Sequence, residues 1–184
     1  MRQLTLTWRY TLLCVLAGML AFSVSCSNKQ VRRGAKGPIT PLYGISLPQV
    51  DNVDFPFSAL RGKVVLVDFF TSSCSPCLYI IPKLKKLYVS HRRKGFLVVG
   101  IALEQQVQKL LVPYLNIMKV DYPVLVADGS IYRGSTAFGR IIRVPQSFLI
   151  DRCGKIRRVF VGVPDTSMME KEIKKLLAVN PKSC

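Results

Sequence analysis

The spacing of apolar positions predicts strands that alternate with helices from about residue 42 onward. Short Val-rich runs of the kind found in buried strands occur at 62–70, 96–103 and 122–128. The segment after the first run has helical spacing and ends at Gly95. The residues expected on the buried face of that helix are Leu78, Ile81, Leu84 and Leu87.

The end of the chain predicts a β-hairpin followed by a helix. "PQSFLID" and "IRRVFVG" flank the turn "RCGK", and "DTSMMEKEIKKLLAV" is amphipathic, with Asp165 or Thr166 as its N-cap. Pro82 and Pro113 are expected to disturb the helices that contain them. The order β-α-β-α-β-α-β-β-α favours the α/β class, with a central mixed sheet flanked by helices.

The first residues are typical of an export signal. Residues 1–26 combine a basic start, an uncharged apolar run from Tyr10 to Val24 and small residues before Cys26. Cys26 occupies the place of a lipidated cysteine, although Ser23 departs from the large aliphatic residue usual there. A lipoprotein leader, an uncleaved membrane anchor and plain secretion all stay open. Residues 27–41 are predicted to form a flexible basic tether, which leaves 42–184 as one domain.

Charge adds little beyond this. The chain carries a formal net charge of +17, and no Asp or Glu precedes Asp51. A solvated basic surface explains this most simply, and an anionic lipid surface or an acidic partner is the alternative. Because export is predicted, nucleic acid is not an expected partner. The expected location is the cell envelope, on the extracytoplasmic face of a membrane.

The candidate reactive residues lie in the stretch "FFTSSCSPC". Cys74 and Cys77 fall between the end of the first long strand and the start of a helix, at the sheet edge where α/β proteins place reactive groups. A helix N-terminus favours a thiolate, and two intervening residues allow a disulfide. Cys74 is therefore assigned to attack, and Cys77 to resolve the mixed disulfide. Zinc would need further ligands, and a purely structural disulfide between near neighbours would constrain the unfolded chain little. No metal or other cofactor is expected.

The stretches "LRGKVVLVDFF", "CSPC", "KGFLVVGIAL", "YPVLVADG" and "VPQSFLIDRCGKI" resemble the thioredoxin superfamily. The resemblance is greatest to the membrane-tethered, TlpA/ResA-like thiol–disulfide oxidoreductases. It implies a thioredoxin fold and an exported monomer that exchanges disulfides with proteins and is recharged by a membrane dithiol donor. Cytochrome c maturation and envelope redox homeostasis are roles typical of the family.

The resemblance also assigns residues. It maps the family's cis-proline onto Pro145, with Val144 and Phe70 beside the bound substrate. Asp68 matches the buried acid of thioredoxins proper, where many TlpA-like proteins have Asn, and a hydrogen-bonded polar residue at a strand end is the alternative. A carboxylate inside so apolar a strand is expected to have a raised pKa and to exchange a proton with Cys77.

The chain also departs from the family's pattern. Phe70 and Ser73 stand where tryptophans are usual, and Gln146 stands where threonine is usual, so substrate recognition and redox potential stay open. Glu104 falls one residue short of an acidic active-site position.

Two other functions compete with this interpretation. A peroxiredoxin-like thiol peroxidase would use Thr71 and Cys74 in this spacing, but Val67 replaces the proline of that motif. A Sco-like copper metallochaperone would need a wider cysteine spacing and a histidine after the pair in the position of a ligand, and none follows His91.

The resemblance leaves Cys153 and Cys184 unexplained. The closing helix should carry the C-terminus back toward the tip of the last hairpin, which predicts a second, structural disulfide between them. Unpaired thiols and a bond between chains are the alternatives.

Overall fold

A computed structural model describes residues 40–51 and 54–180. The predicted leader with Cys26, nearly all of the predicted tether, and Cys184 lie outside these residues. Within the described ranges, no helix is both long enough and apolar enough to span a bilayer.

A five-stranded mixed sheet forms the centre of the domain. Its strands are β3 (Val64–Phe70), β4 (Phe96–Ala102), β5 (Val124–Val126), β6 (Gln146–Ile150) and β7 (Ile156–Val161), which follow two short strands, β1 (Ser46–Pro48) and β2 (Asp54–Pro56). The order across the sheet is β5-β4-β3-β6-β7, with β3, β4 and β5 parallel to one another and β6 antiparallel to both β3 and β7. The predicted succession of strands and helices from β3 onward, and the central mixed sheet, are confirmed.

Helices and turns cover both faces of this sheet. The α-helices are α1 (Cys77–His91), α2 (Val112–Met118), α3 (Gly129–Arg133) and α4 (Thr166–Ala178). Strand β3 is buried along its whole length. One face of β3 packs with α1 and α4 through Val64, Leu66 and Phe70. The other face packs with residues 42–60 through Val65, Val67 and Phe69. This double burial explains why β3 reads as a continuous apolar run rather than an alternating one.

The buried face of α1 differs from the prediction. Its buried residues are Cys77, Ile80, Ile81, Leu84, Leu87 and His91. Leu78, expected in the core, is 46% exposed. A strict spacing of three residues drifts around a helix of 3.6 residues per turn, so Leu78 and Leu87 cannot share one face. The helix continues through Pro82.

The predicted disturbance near Pro113 takes the form of a π-helix. Val107–Leu111 forms this wider turn, and α2 begins directly after it with Pro113 in its first turn. Proline has no N–H to donate, and the first turn of a helix is where that loss is tolerated. Asp165 caps α4 by accepting a hydrogen bond from the Ser167 N–H, at 2.9 Å.

The tip of the last hairpin lies close to the end of α4. Arg152, in the hairpin turn, donates from Nη2 to the Leu177 carbonyl oxygen at 3.4 Å. Helix α4 therefore returns to the hairpin as the sequence predicted. Cys153 is disulfide-bonded, and Cys184 lies outside the described residues, so the identity of the bridge stays a prediction.

If Cys153 and Cys184 form the bridge, either cysteine replaced by serine should lower the free energy of unfolding by about 3–4 kcal/mol, because a loop of this size loses its closure. Peptide mapping of the non-reduced protein should find the two cysteines in one cross-linked pair. Cys26→Ser serves as the control, since it should leave the unfolding free energy unchanged. Alkylation of both thiols in the native, non-reduced protein would contradict the bridge.

Candidate redox site

The redox pair occupies the turn that joins β3 to α1. Cys74 and Cys77 form a disulfide with their Cα atoms 5.3 Å apart. Backbone hydrogen bonds shape the turn: the Cys74 N–H donates to the Thr71 carbonyl oxygen at 3.2 Å, and the Cys77 N–H donates to the Cys74 carbonyl oxygen at 3.0 Å. Helix α1 begins at Cys77, so Cys74 lies just before the helix.

The two sulfur-bearing residues differ in access. Cys74 is 8% exposed, whereas Cys77 is completely buried. The Cys77 N–H also lies 3.2 Å from Cys74 Sγ and donates to it. After reduction the same N–H would stabilise a thiolate on Cys74. Both observations support the assignment of Cys74 as the attacking residue.

Asp68 lies on the side of the sheet that faces the redox pair. It lies two residues from both Leu66 and Phe70 on β3 and so points to the same face, and these two belong to the core cluster that contains both cysteines. Its side chain is fully buried, with Oδ1 accepting a hydrogen bond from Ser147 Oγ at 2.7 Å. No hydrogen-bond partner among the described residues reaches Oδ2.

This environment changes the proton affinity of Asp68. Burial raises its pKa from 3.8 to about 7, and the hydrogen bond from Ser147 opposes the rise. A carboxyl group with such a pKa can give or take a proton near neutrality, which the sequence had led us to expect.

The peptide bond between Val144 and Pro145 is cis, as the resemblance implied. Gln146 pairs with Phe69 across the β3–β6 ladder, so Pro145 lies beside the end of β3 from which the redox turn departs. Val144 is half-buried and contacts the core clusters on both sides of the sheet, whereas Pro145 is buried.

Phe70 does not reach the surface. Only 1% of it is exposed, and its ring stacks on Tyr114 with the centroids 6.1 Å apart. The structure therefore places Phe70 in the core cluster that contains both cysteines, and its contact with substrate stays a prediction.

Two serines near the site were missed by the sequence analysis. Ser147 holds Asp68, and Ser72 donates a hydrogen bond to the Glu104 carboxylate. Glu104 also accepts from the N–H of Gln105 at 3.2 Å, so it joins the redox turn to the end of β4. A signal for Ser147 was available in the sequence. Ser147 lies two residues after Pro145, and pairing of β6 with β3 places it opposite Asp68. No sequence signal pointed to Ser72.

The described residues contain no candidate metal site. No group of three His, Cys, Asp or Glu side chains there is positioned to hold a metal ion.

The fold, the disulfide-forming CxxC pair and the cis-proline turn together define a thiol–disulfide oxidoreductase of the thioredoxin fold. The family model described as Redoxin matches residues 34–177, and the chain belongs to that family.

Two relatives show how far the likeness extends. The thiol-disulfide oxidoreductase ResA of Bacillus thuringiensis (strain Al Hakam) is 27% identical over 184 residues, which cover 96% of this chain and 99% of the relative. Protein DipZ of Mycobacterium tuberculosis (strain CDC 1551 / Oshkosh) is 28% identical over 160 residues, which cover 83% of this chain but 22% of DipZ.

A solved structure has the same fold. The thioredoxin-family thiol:disulfide interchange protein from Chlorobium tepidum TLS aligns with a TM-score of 0.66 and 31% identity, covering 78% of this chain and all of that one. The resemblance to TlpA/ResA-like proteins and the predicted enzyme class are confirmed.

Proposed function

We propose that this oxidoreductase reduces disulfides of exported proteins while held at the extracytoplasmic face of a membrane by its N-terminal region. The predicted leader at 1–26, with Cys26 as the candidate lipidation site, and the basic segment at 27–41 support this location. The match to ResA along nearly its whole length supports a similar overall organisation.

The charges around the redox pair support the proposal that electrons flow from this protein to its substrate. A dithiol becomes a stronger oxidant when its reduced, thiolate form is stabilised by nearby positive charge. Ser75 and Pro76, between the cysteines, have no charge, and the fully buried Asp68 lies on the same side of the sheet as the pair. The ionised form of Asp68 opposes a thiolate there and acts against the Cys77 N–H that favours one, so the dithiol should give up its electrons readily.

The proposed reaction moves two electrons to the substrate. The Cys74 thiolate attacks one sulfur of a substrate disulfide and displaces the other sulfur as a thiolate, which is then protonated. Cys77 loses its proton to Asp68 and attacks Cys74 Sγ, which forms the Cys74–Cys77 disulfide and releases the second substrate sulfur. A membrane dithiol donor then reduces the pair again.

The surface beside the pair is suited to a protein substrate. Tyr79, in the first turn of α1, is 69% exposed, and Leu78 is 46% exposed. Val144, next to Pro145, is half-buried and therefore partly accessible. We propose that substrate backbone lies along Val144 and that its apolar side chains contact Tyr79.

The reduction potential of the Cys74–Cys77 pair tests the proposal. Equilibration of the full chain with glutathione buffers should give a value below about −220 mV, in the range of thioredoxin-like reductants. Cys74→Ser should show no transition and serves as the control. A value near about −120 mV, typical of a strong oxidant such as DsbA, would reverse the proposed direction.

A further inference from the structure

Three loops meet at the edge of the sheet opposite the redox pair. Strand β3 begins after the loop at 61–63, β4 begins after 92–95, and β6 ends at the hairpin turn 151–155. The side chain of Arg152 joins them, donating from Nη1 to the Gly62 carbonyl oxygen at 2.8 Å and from Nη2 to the Lys94 carbonyl oxygen at 3.4 Å.

These loops are unusually basic. Six exposed cationic side chains project from them and are named here the basic pole: Arg61, Lys63, Arg92, Arg93, Lys94 and Lys155. None of the six forms an ion pair with any carboxylate in the described ranges.

The loops contain a single carboxylate, and it is turned inward. Asp151 is 7% exposed and accepts hydrogen bonds from the N–H groups of Cys153 and Lys155. Its other oxygen accepts from Arg157 Nε at 2.6 Å. The charge of Asp151 is thus compensated locally, and the basic pole presents positive charge alone.

Tyr43, near the start of the described domain, lies beside this pole. The Arg61 guanidinium lies 4.3 Å from the centre of the Tyr43 ring, and the Tyr43 hydroxyl donates to the Arg152 carbonyl oxygen at 3.4 Å. The chain before Tyr43 carries basic residues and no Asp or Glu. The chain before Tyr43 and the basic pole thus carry charge of the same sign.

We infer that the basic pole docks on the surface of an anionic phospholipid bilayer. Its charges are spread over three loops, which suits a surface of mobile headgroups, and several basic residues close to such a surface act together. The pole also contacts Tyr43, near the start of the described domain. Strand β3, about 20 Å long, separates it from the redox turn, so docking directs Cys74 away from the lipid.

Site-resolved acetylation of lysines in the full chain tests this surface. The protein is mixed with vesicles of phosphatidylcholine, alone or with phosphatidylglycerol, and acetylation by an activated ester is read by mass spectrometry. With phosphatidylglycerol present, Lys63, Lys94 and Lys155 should react about fivefold more slowly. The exposed Lys86, Lys109 and Lys171 should keep their rates, and salt at about 1 M should abolish the protection by screening.

Matched variants separate this pole from total charge. Arg92→Gln with Arg93→Gln should remove most of the protection at Lys63 and Lys155. Lys86→Gln with Lys109→Gln removes the same charge elsewhere and should leave that protection unchanged. Because the footprint of the unaltered chain already tests the surface, the inference does not depend on how the variants fold.

Three results would overturn the inference. The first is equal acetylation rates with both vesicles. The second is uniform protection of all six lysines, which would show a diffuse charge effect. The third is protection of the pole by polyglutamate but not by phosphatidylglycerol, which would assign the surface to an acidic protein.

Discussion

Cys77→Ser is expected to hold the enzyme in covalent complexes with its substrates through Cys74. The attacking sulfur keeps its limited access and the N–H of residue 77, but no second thiol remains to release the substrate. Turnover of a model disulfide substrate should fall by about a thousandfold or more. Non-reducing electrophoresis followed by mass spectrometry should find the mixed disulfide at Cys74.

Cys74→Ser is the matched control, because it removes the accessible sulfur and leaves Cys77 fully buried. It should be as inactive as Cys77→Ser and should trap nothing. Equal trapping by both variants would show that the two cysteines do not have distinct roles.

Asp68→Asn should stabilise the protein at alkaline pH. Since the pKa of Asp68 is raised from 3.8 to about 7, the folded protein holds a proton that the unfolded chain has released between these values. The contribution of Asp68 to the free energy of unfolding is then greatest at acidic pH and is lost as pH rises through about 7. The free energy of unfolding of the Asn variant, relative to that of the unaltered protein, should rise by up to about 4 kcal/mol between about pH 4 and pH 8. Urea unfolding measures this difference.

The same substitution should slow catalysis. Without a group that takes the proton from Cys77, resolution of the mixed disulfide near neutral pH should be slower and should depend less on pH. Asp54→Asn, at an exposed position on β2, is the control for both measurements. If Asp68→Asn leaves the pH dependence of resolution unchanged, Asp68 has only a structural role.

The sequence predicted the elements whose pattern is set by local chemistry. The buried strand β3, the hairpin of β6 and β7 and the cap at Asp165 all follow from burial and hydrogen-bonding preferences. The CxxC pair was found from its place between a strand and a helix. The cis bond at Pro145 came from the resemblance, since nothing local to "VPQ" requires it.

Other features depend on tertiary contacts that a linear pattern does not contain. Strands β1 and β2 are three residues each, with proline in both, which is too short for a periodic signal. Leu78 is apolar but exposed, because the register of α1 is set by Cys77 and Ile80 against the sheet. Phe70 was assigned to substrate by analogy, and only its contact with Tyr114 shows that it is covered.

Strand β6 connects the proposed substrate contact at the cis-proline turn to the buried acid. Pro145 immediately precedes this strand, and Ser147, two residues further on, donates its hydrogen bond to Asp68. A substrate that displaces the cis-proline turn would lengthen or tighten that bond and so change the proton affinity of the buried carboxyl. Thermodynamic reciprocity then requires the protonation of Asp68 to change substrate affinity by the same factor. Substrate affinity would then change with pH around the pKa of Asp68, about 7.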